Sequence, residues 1–192
     1  MGVPQRCPRC LKDQIYIDYH DQMWWVPVKD DTQQFAFLIL EWAQAGLSRY
    51  TILKRWDGYR KAFANRNPKK VATFTTADIE RLMQDTGIIR NRAKITAAIT
   101  NARVFLEIQK EFGSFTNYIR WFTDHQVIDN KHKTMQEYVA TSPLSDAISK
   151  DLKKRGMKFV WSTIIYAHLQ ATGQINDHLT SCFRWKELRV KI

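Results

Sequence analysis

Apolar side chains recur along most of the chain at the three- and four-residue spacing of helices that turn one face to a core. The clearest example is 35–45, where Phe35, Leu38, Ile39 and Trp42 stand at positions i, i+3, i+4 and i+7. The same spacing predicts further helices over 75–85, 91–112, 142–156 and 159–171. Alternating strand patterns are scarce. The pattern therefore predicts an all-α fold with short loops.

Residues that cap helices stand at several of the predicted ends. Thr75 followed by Asp78 is a capping signal, and Ser142 followed by Pro143 places an N-cap residue before a proline at the first helical position. Glycines stand just beyond predicted helix ends, at Gly87, Gly113, Gly156 and Gly173. These signals support the helical assignment.

The chain carries a large excess of positive charge. Its 192 residues include 30 Lys and Arg against 19 Asp and Glu, a formal net charge of +11. This favours a polyanionic partner such as a nucleic acid, because neutralised phosphates release counterions; the alternative is a solvated basic surface. Hydrophobic residues make up 44% of the chain, enough for a core that needs no disulfides.

No stretch reaches the roughly 18 apolar residues of a membrane-spanning helix, so no membrane association is expected. The first nine residues lack the apolar segment of a secretion signal, which favours the cytoplasm. No repeat or Gly/Ser-rich linker divides the chain. We expect a single unit over 1–192, with its main helical body at about 30–170.

The cysteines are three in number, Cys7, Cys10 and Cys182, and an odd count in a cytosolic chain points to a metal site or to inert burial. Cys7 is followed by His20, and His178 by Cys182. Two Cys and two His are the donors that tetrahedral zinc prefers. The spacing alone leaves a chance arrangement open, and it also leaves Cys10 open as a replacement for His20.

Asn176 and Asp177 can cap a short helix, on which His178 and Cys182 would share one face because they are four residues apart. Four protein ligands leave no open position for water, so such a site would be structural. It would join the two chain ends.

The segment 152–160 predicts two helices joined by a tight turn at Gly156. A glycine turn lets backbone N–H groups approach a phosphate, and the following helix adds its positive end. Four basic residues flank the turn, Lys153, Lys154, Arg155 and Lys158. The alternative is an ordinary glycine cap between antiparallel helices. A second basic glycine turn lies at 87–92.

Glu41 lies on the apolar helix predicted at 35–45. It is either a surface charge, which the pattern favours, or a pocket carboxylate. The turn at 44–48 exposes Leu47 beside Gly46, an arrangement suited to a wedge that enters a DNA duplex. Nearby aromatic residues could line a pocket or belong to the core: Tyr16, Tyr19, Trp24 and Trp25.

Together these segments resemble the DNA-3-methyladenine glycosylase I family, a divergent branch of the helix-hairpin-helix glycosylases. The resemblance runs from about Arg6 to Cys182. Its marks are the segments 13–21, 44–48, 87–90, 146–159 and 176–178, in the same order and spacing. It implies base-excision repair of double-stranded DNA that contains alkylated bases, with 3-methyladenine as the excised base. We expect a monomer.

The resemblance also implies roles for individual residues. A structural zinc would be held by Cys7, His20, His178 and Cys182, with Cys10 outside the ligand set. The base pocket would use Glu41, Tyr19, Tyr16 and Trp24. The wedge would fall on Gly46 and Leu47, and the DNA-gripping hairpin on 152–160, with Lys154, Arg155, Gly156 and Lys158 facing DNA.

Several residues depart from the family pattern. Arg49 stands where a tryptophan stacks on the excised base, and it would repel a cationic alkylated adenine unless it turns to Glu41 or to phosphate. The other departures are Arg9, Met23, Trp25, Trp42 and Trp161. An active glycosylase, a silent or re-specified DNA-binding paralogue and a zinc-stabilised interaction domain are the three resulting hypotheses. An open cavity beside Glu41 would favour the enzyme, and a filled one the paralogue.

Overall fold

In the computed structural model, which describes residues 4–11 and 13–189, the chain forms eleven α-helices and three short 3-10 helices. The α-helices are α1 (Gln14–Gln22), α2 (Asp31–Gln44), α3 (Arg49–Leu53), α4 (Trp56–Ala62), α5 (Pro68–Val71), α6 (Thr76–Gln84), α7 (Arg92–Phe112), α8 (Phe115–Trp121), α9 (Pro143–Lys154), α10 (Ser162–Ala171) and α11 (Phe183–Arg189). The 3-10 helices are Pro8–Cys10, Ala64–Arg66 and Met135–Glu137. This mostly helical architecture confirms the all-α prediction. The outermost parts of the predicted unit, 1–3 and 190–192, lie outside the described residues.

Helix α2 is the central element of the core. It packs against α3, α7, α8 and α10, and it buries Phe35, Leu38 and Ile39 as the apolar spacing predicts. Asp30 caps its first turn by accepting a hydrogen bond from the Gln33 amide at 2.8 Å. Because α2 is surrounded, its last turn is held firmly, and that turn leads into the candidate site.

Most predicted helix ends are confirmed. Thr75 and Asp78 form a capping box before α6, and Ser142 caps α9 with Pro143 in its first turn. The prediction for 159–171 was wrong at its start. Phe159 adopts a left-handed φ of 54°, so the helix begins at Ser162, after the N-cap Trp161.

Short backbone pairings hold the C-terminal segment against two earlier parts of the chain. The two-residue strands β1 (Ile128–Asp129) and β2 (Ile175–Asn176) pair in parallel. The amide of Phe183 donates to the Gln5 carbonyl at 2.9 Å. The short helix predicted after Asn176 was wrong: 178–182 is a turn, in which the Asn176 side chain accepts from the His178 amide. The close approach of the chain ends is nonetheless present. Among the described residues, no helix is both long and apolar enough to cross a membrane.

A buried histidine makes stability depend on pH. His168 on α10 is fully buried, with its ring 6.2 Å from that of Phe115 and no hydrogen-bond partner recorded for either ring nitrogen in the described chain. Burial lowers its pKa to about 3. Between about pH 6.5 and 3 the unfolded chain therefore binds one more proton than the folded chain does. The contribution of neutral His168 is fully present above this window and is lost as the pH falls through it, by up to about 1.4 kcal/mol per pH unit.

We expect His168→Leu to reduce the slope of the free energy of unfolding against pH between 6.5 and 4, measured by urea denaturation. The exposed His125 is the matched control, and His125→Leu should leave that slope unchanged. An equal slope in His168→Leu and the unmodified protein would show that other groups dominate acid unfolding.

Candidate functional site

Glu41 and Arg49 form a bidentate ion pair at the end of α2. Ser48 caps α3 and turns the chain. Arg49, eight residues after Glu41, therefore faces back onto α2. Its Nη1 and Nη2 donate to the two carboxylate oxygens of Glu41, the second at 2.8 Å. Glu41 is 1% exposed, so the interpretation as a surface charge was wrong. Burial disfavours a charged guanidinium, but the carboxylate outweighs this and holds the pKa of Arg49 above its usual value.

Two tyrosines of α1 extend the site. Tyr19 is buried, with its ring 5.6 Å from the guanidinium carbon of Arg49, and Tyr16 stacks on Tyr19 at 6.5 Å. The Tyr19 hydroxyl has no hydrogen-bond partner recorded in the described chain. A cavity of about 80 Å³ reaches Tyr16, Tyr19, Trp24 and Arg49. This is below the roughly 300–1,000 Å³ of ordinary ligand pockets, and Arg49 occupies part of the space beside Glu41.

A larger cleft lies beside Arg49. It has a volume of about 680 Å³ and runs between Tyr16 and Tyr50, with Arg9 and Arg49 on its walls. Arg9 lies over the Tyr138 ring at 4.6 Å. The two arginines therefore line this cleft, whereas Glu41 lines a different groove of about 300 Å³ beside the turn 44–47.

The tryptophans that depart from the family pattern do not line this space. Trp42 belongs to the main core and packs edge-on against Phe35 at 6.1 Å. Trp25 is buried near His178 with a left-handed φ of 63°, a conformation that glycine adopts without strain. Trp161 is 60% exposed. Arg49 is thus the substitution that contacts Glu41 directly, and Trp161 lines the groove that Glu41 also borders.

The turn after α2 exposes the residues that the sequence predicts as a wedge. Gly46 has a φ of 82° and Leu47 is 40% exposed. Lys94 of α7 donates to the carbonyls of Ala43 and Ala45 at 3.1 and 2.7 Å, and so holds the base of this turn. Sequence reasoning missed Lys94, because a lysine in the first turn of a helix gives no sign of a partner 51 residues away.

The hairpin at 152–160 is held from inside by a buried amide. Gly156 forms the turn with a φ of 100°, and an added Cβ there would lie 3.9 Å from the Val104 side chain. Asn101 of α7, also missed from the sequence, donates to the Lys158 carbonyl and accepts from the Lys158 amide at 2.9 and 2.8 Å. The backbone amide of Lys158 is therefore already hydrogen-bonded within the protein.

The basic residues of the hairpin differ in their surroundings. Lys153, Lys154 and Lys158 are exposed. Arg155 instead pairs with Asp151 at 2.6 Å and with Glu111, which joins α9 to α7. The three exposed lysines are therefore better placed than Arg155 to contact a phosphate. In the second basic turn, Arg92 is engaged with Glu80 at 2.6 and 2.7 Å.

The four predicted metal ligands come together between the chain ends. The donor atoms of Cys7, His20, His178 and Cys182 all lie within 4.8 Å of one another and are buried. Cys7 Sγ lies 3.5 Å from His178 Nδ1, and Cys182 Sγ lies 3.5 Å from His20 Nε2. Bond lengths of about 2.0–2.3 Å around tetrahedral zinc place its ligands about 3.3–3.8 Å apart. The donor set and spacing fit zinc.

The surroundings of this group suit a metal. Hydrogen bonds from Cys7, then from His178 and His20, hold the pKa of Cys182 below its usual value, which favours the thiolate. Asp21 Oδ1 lies 2.7 Å from His20 Nδ1 and orients that ring. The Cys10 thiol donates to the Cys7 carbonyl at 3.1 Å instead of joining the group.

Comparison with known proteins places this geometry in a family. The chain matches the methyladenine glycosylase family over residues 9–185. It is 44% identical over 178 residues to DNA-3-methyladenine glycosylase 1 of Escherichia coli K12, covering 93% of this chain and 95% of that protein. It is 41% identical over 177 residues to the Haemophilus influenzae DNA-3-methyladenine glycosylase, covering 92% and 96%.

Solved structures agree. A crystal structure of 3-methyladenine DNA glycosylase I superposes with a TM-score of 0.90 at 44% identity, covering 93% of this chain and 98% of that one. The Staphylococcus aureus enzyme, solved to define its recognition of 3-methyladenine, gives a TM-score of 0.90 at 34% identity, with 95% and 97% covered. The chain therefore belongs to the methyladenine glycosylase family.

Proposed function

We propose that the protein is a monomeric, cytoplasmic base-excision repair glycosylase that hydrolyses the N-glycosidic bond of 3-methyladenine in double-stranded DNA. One observation carries this proposal: α2 buries a carboxylate, Glu41, beside Tyr19, and the same helix leads directly into the exposed Leu47. A pocket for a base and a wedge that replaces the base in the duplex are thus built on one rigid element.

In this mechanism the exposed lysines of the hairpin contact phosphates and Leu47 fills the gap in the base stack. The extruded base meets Glu41 and Tyr19, whose oxygens hydrogen-bond to its edge. An N3-alkylated adenine is cationic and a good leaving group. Glu41 therefore acts mainly by reading the base and stabilising its charge, and a strong general base is unnecessary.

Zinc in the Cys7, His20, His178 and Cys182 group would have a structural role, because four protein ligands leave no position for water or substrate. It would supply a cross-link between the N-terminal segment and the turn after β2. No step of base excision requires it. This site keeps Trp24, whose ring lies 4.5 Å from that of His178, beside the base-binding tyrosines.

The ion pair itself favours a second candidate function. Arg49 already satisfies both carboxylate oxygens of Glu41 and brings a positive charge where a cationic base would bind. A re-specified or silent DNA-binding paralogue would have this arrangement. The two candidates differ in whether free 3-methyladenine is released.

The proposal predicts release of free 3-methyladenine from methylated duplex DNA, measured by chromatography of the released bases. Glu41→Gln should slow release at least tenfold, because it removes the charge that stabilises the cationic base. Glu80→Gln is the matched control, since Glu80 forms a bidentate pair with Arg92 away from the site. Absence of release by the unmodified protein supports the second candidate. Equal release by Glu41→Gln and Glu80→Gln contradicts the role of Glu41.

A further inference from the structure

A groove runs along the wedge turn 44–47. It has a volume of about 300 Å³ and lies between that turn and the first two turns of α10, with Glu41 also in its lining. Leu47 stands on one wall and Trp161 on the other. Its volume is at the lower end of the roughly 300–1,000 Å³ of small-molecule pockets, which suits a single nucleobase.

Trp161 has an unusual exposure for so large an apolar side chain. It is the N-cap residue of α10 and is 60% exposed. The Lys153 ammonium lies 4.0 Å from the centre of its ring, a cation–π contact that holds the indole next to the hairpin. An exposed indole beside a basic hairpin is suited to stacking on a base while the neighbouring lysines meet phosphates.

One residue that lines the groove carries a buried polar atom. The Oε1 atom of Gln44 is buried and has no hydrogen-bond partner recorded in the described chain. Buried polar atoms of this kind are normally satisfied, so a ligand with a donor group would complete it. Nucleobases combine a flat apolar face with such donors at their edges.

We propose that Leu47 and Trp161 form a two-sided clamp that holds one unpaired base of the duplex in this groove, once the damaged base has left the stack. The inference rests on the proposed function in one respect, that the substrate is double-stranded DNA from which a base is extruded. Trp161 stacks on the unpaired base, Gln44 accepts a hydrogen bond from its edge, and Lys153, Lys154 and Lys158 neutralise the adjoining phosphates. The clamp raises affinity for duplexes that contain a gap in the stack and leaves affinity for intact duplex nearly unchanged.

The test measures dissociation constants for a duplex with an abasic-site analogue and for the same duplex undamaged. Trp161→Ala should weaken binding of the abasic duplex about tenfold, within the range for loss of one base–aromatic stack, and binding of undamaged duplex less than about twofold. Trp161→Phe should restore most of the loss. Trp121→Ala is the matched control, because Trp121 is also 60% exposed but does not line the groove, and it should change neither affinity.

A fluorescent base analogue, 2-aminopurine, identifies which base is held. Placed opposite the abasic analogue or next to it on the same strand, it should be quenched by the unmodified protein at one of these positions and not by Trp161→Ala. Equal losses on both duplexes, no rescue by phenylalanine, or no preference of the unmodified protein for the abasic duplex would each overturn the inference. An abasic analogue has no base to excise, so a protein that releases no 3-methyladenine can still show the clamp.

Discussion

Replacement of Arg49 by tryptophan is expected to raise the rate of 3-methyladenine release by roughly tenfold to a thousandfold. The guanidinium holds both oxygens of Glu41 and would oppose a cationic base placed about 4 Å away by roughly 4 kcal/mol at an effective dielectric near 20, which corresponds to about three powers of ten in rate. Tryptophan removes this repulsion and frees the carboxylate. It also offers a ring for stacking on the base.

Two further variants separate charge from stacking. Arg49→Gln removes the charge without adding a ring and should give part of the gain, whereas Arg49→Lys keeps the charge and should give none. Both Arg49→Trp and Arg49→Gln leave the buried Glu41 without its ion-pair partner, which costs about 3–5 kcal/mol of stability, so thermal melting is measured alongside single-turnover release. Unchanged release in Arg49→Trp and Arg49→Gln, with both proteins folded, would show that Arg49 leaves Glu41 when the base enters.

The features that the sequence predicted correctly are those fixed by neighbouring residues. The cap formed by Ser142 and Pro143 depends on groups within one helical turn, and so does the capping box of Thr75. Gly156 can also be predicted locally, because the turn itself requires a residue with a left-handed φ. Local signals of this kind can be read without knowing the fold.

The features that the sequence could not supply depend on contacts made by folding. Arg49 returns onto α2 and pairs with the buried Glu41, which no helical spacing encodes. Lys94 reaches the wedge turn from α7, and Asn101 reaches the hairpin. The donor types suggest the four candidate metal ligands and the resemblance excludes Cys10, yet His178 and Cys182 lie in a turn where the sequence predicts a helix.

Loss of the metal group is expected to have the largest effect on stability. Cys182→Ser should lower the free energy of unfolding by on the order of 5 kcal/mol, because binding of a structural zinc contributes its free energy to folding. For a chain of this length this corresponds to a fall in melting temperature of roughly 10–20 °C. A chelator should lower the melting temperature of the unmodified protein and have little further effect on Cys182→Ser. Metal analysis should find one zinc per unmodified chain and almost none in the variant.

Cys10→Ser supplies a close control, because Cys10 is equally buried and lies three residues from Cys7, yet its thiol bonds to a backbone carbonyl outside the metal group. It should keep one zinc per chain and respond to the chelator like the unmodified protein. Asp21→Asn should give an intermediate result, weakening zinc affinity about 10- to 100-fold, since Asp21 orients His20 without touching the metal. If Cys182→Ser retained stoichiometric zinc, or if Cys10→Ser lost it, the ligand set would be wrong. If the unmodified protein bound no zinc and ignored the chelator, the four side chains would be a buried hydrogen-bonded cluster that joins the chain ends without a metal.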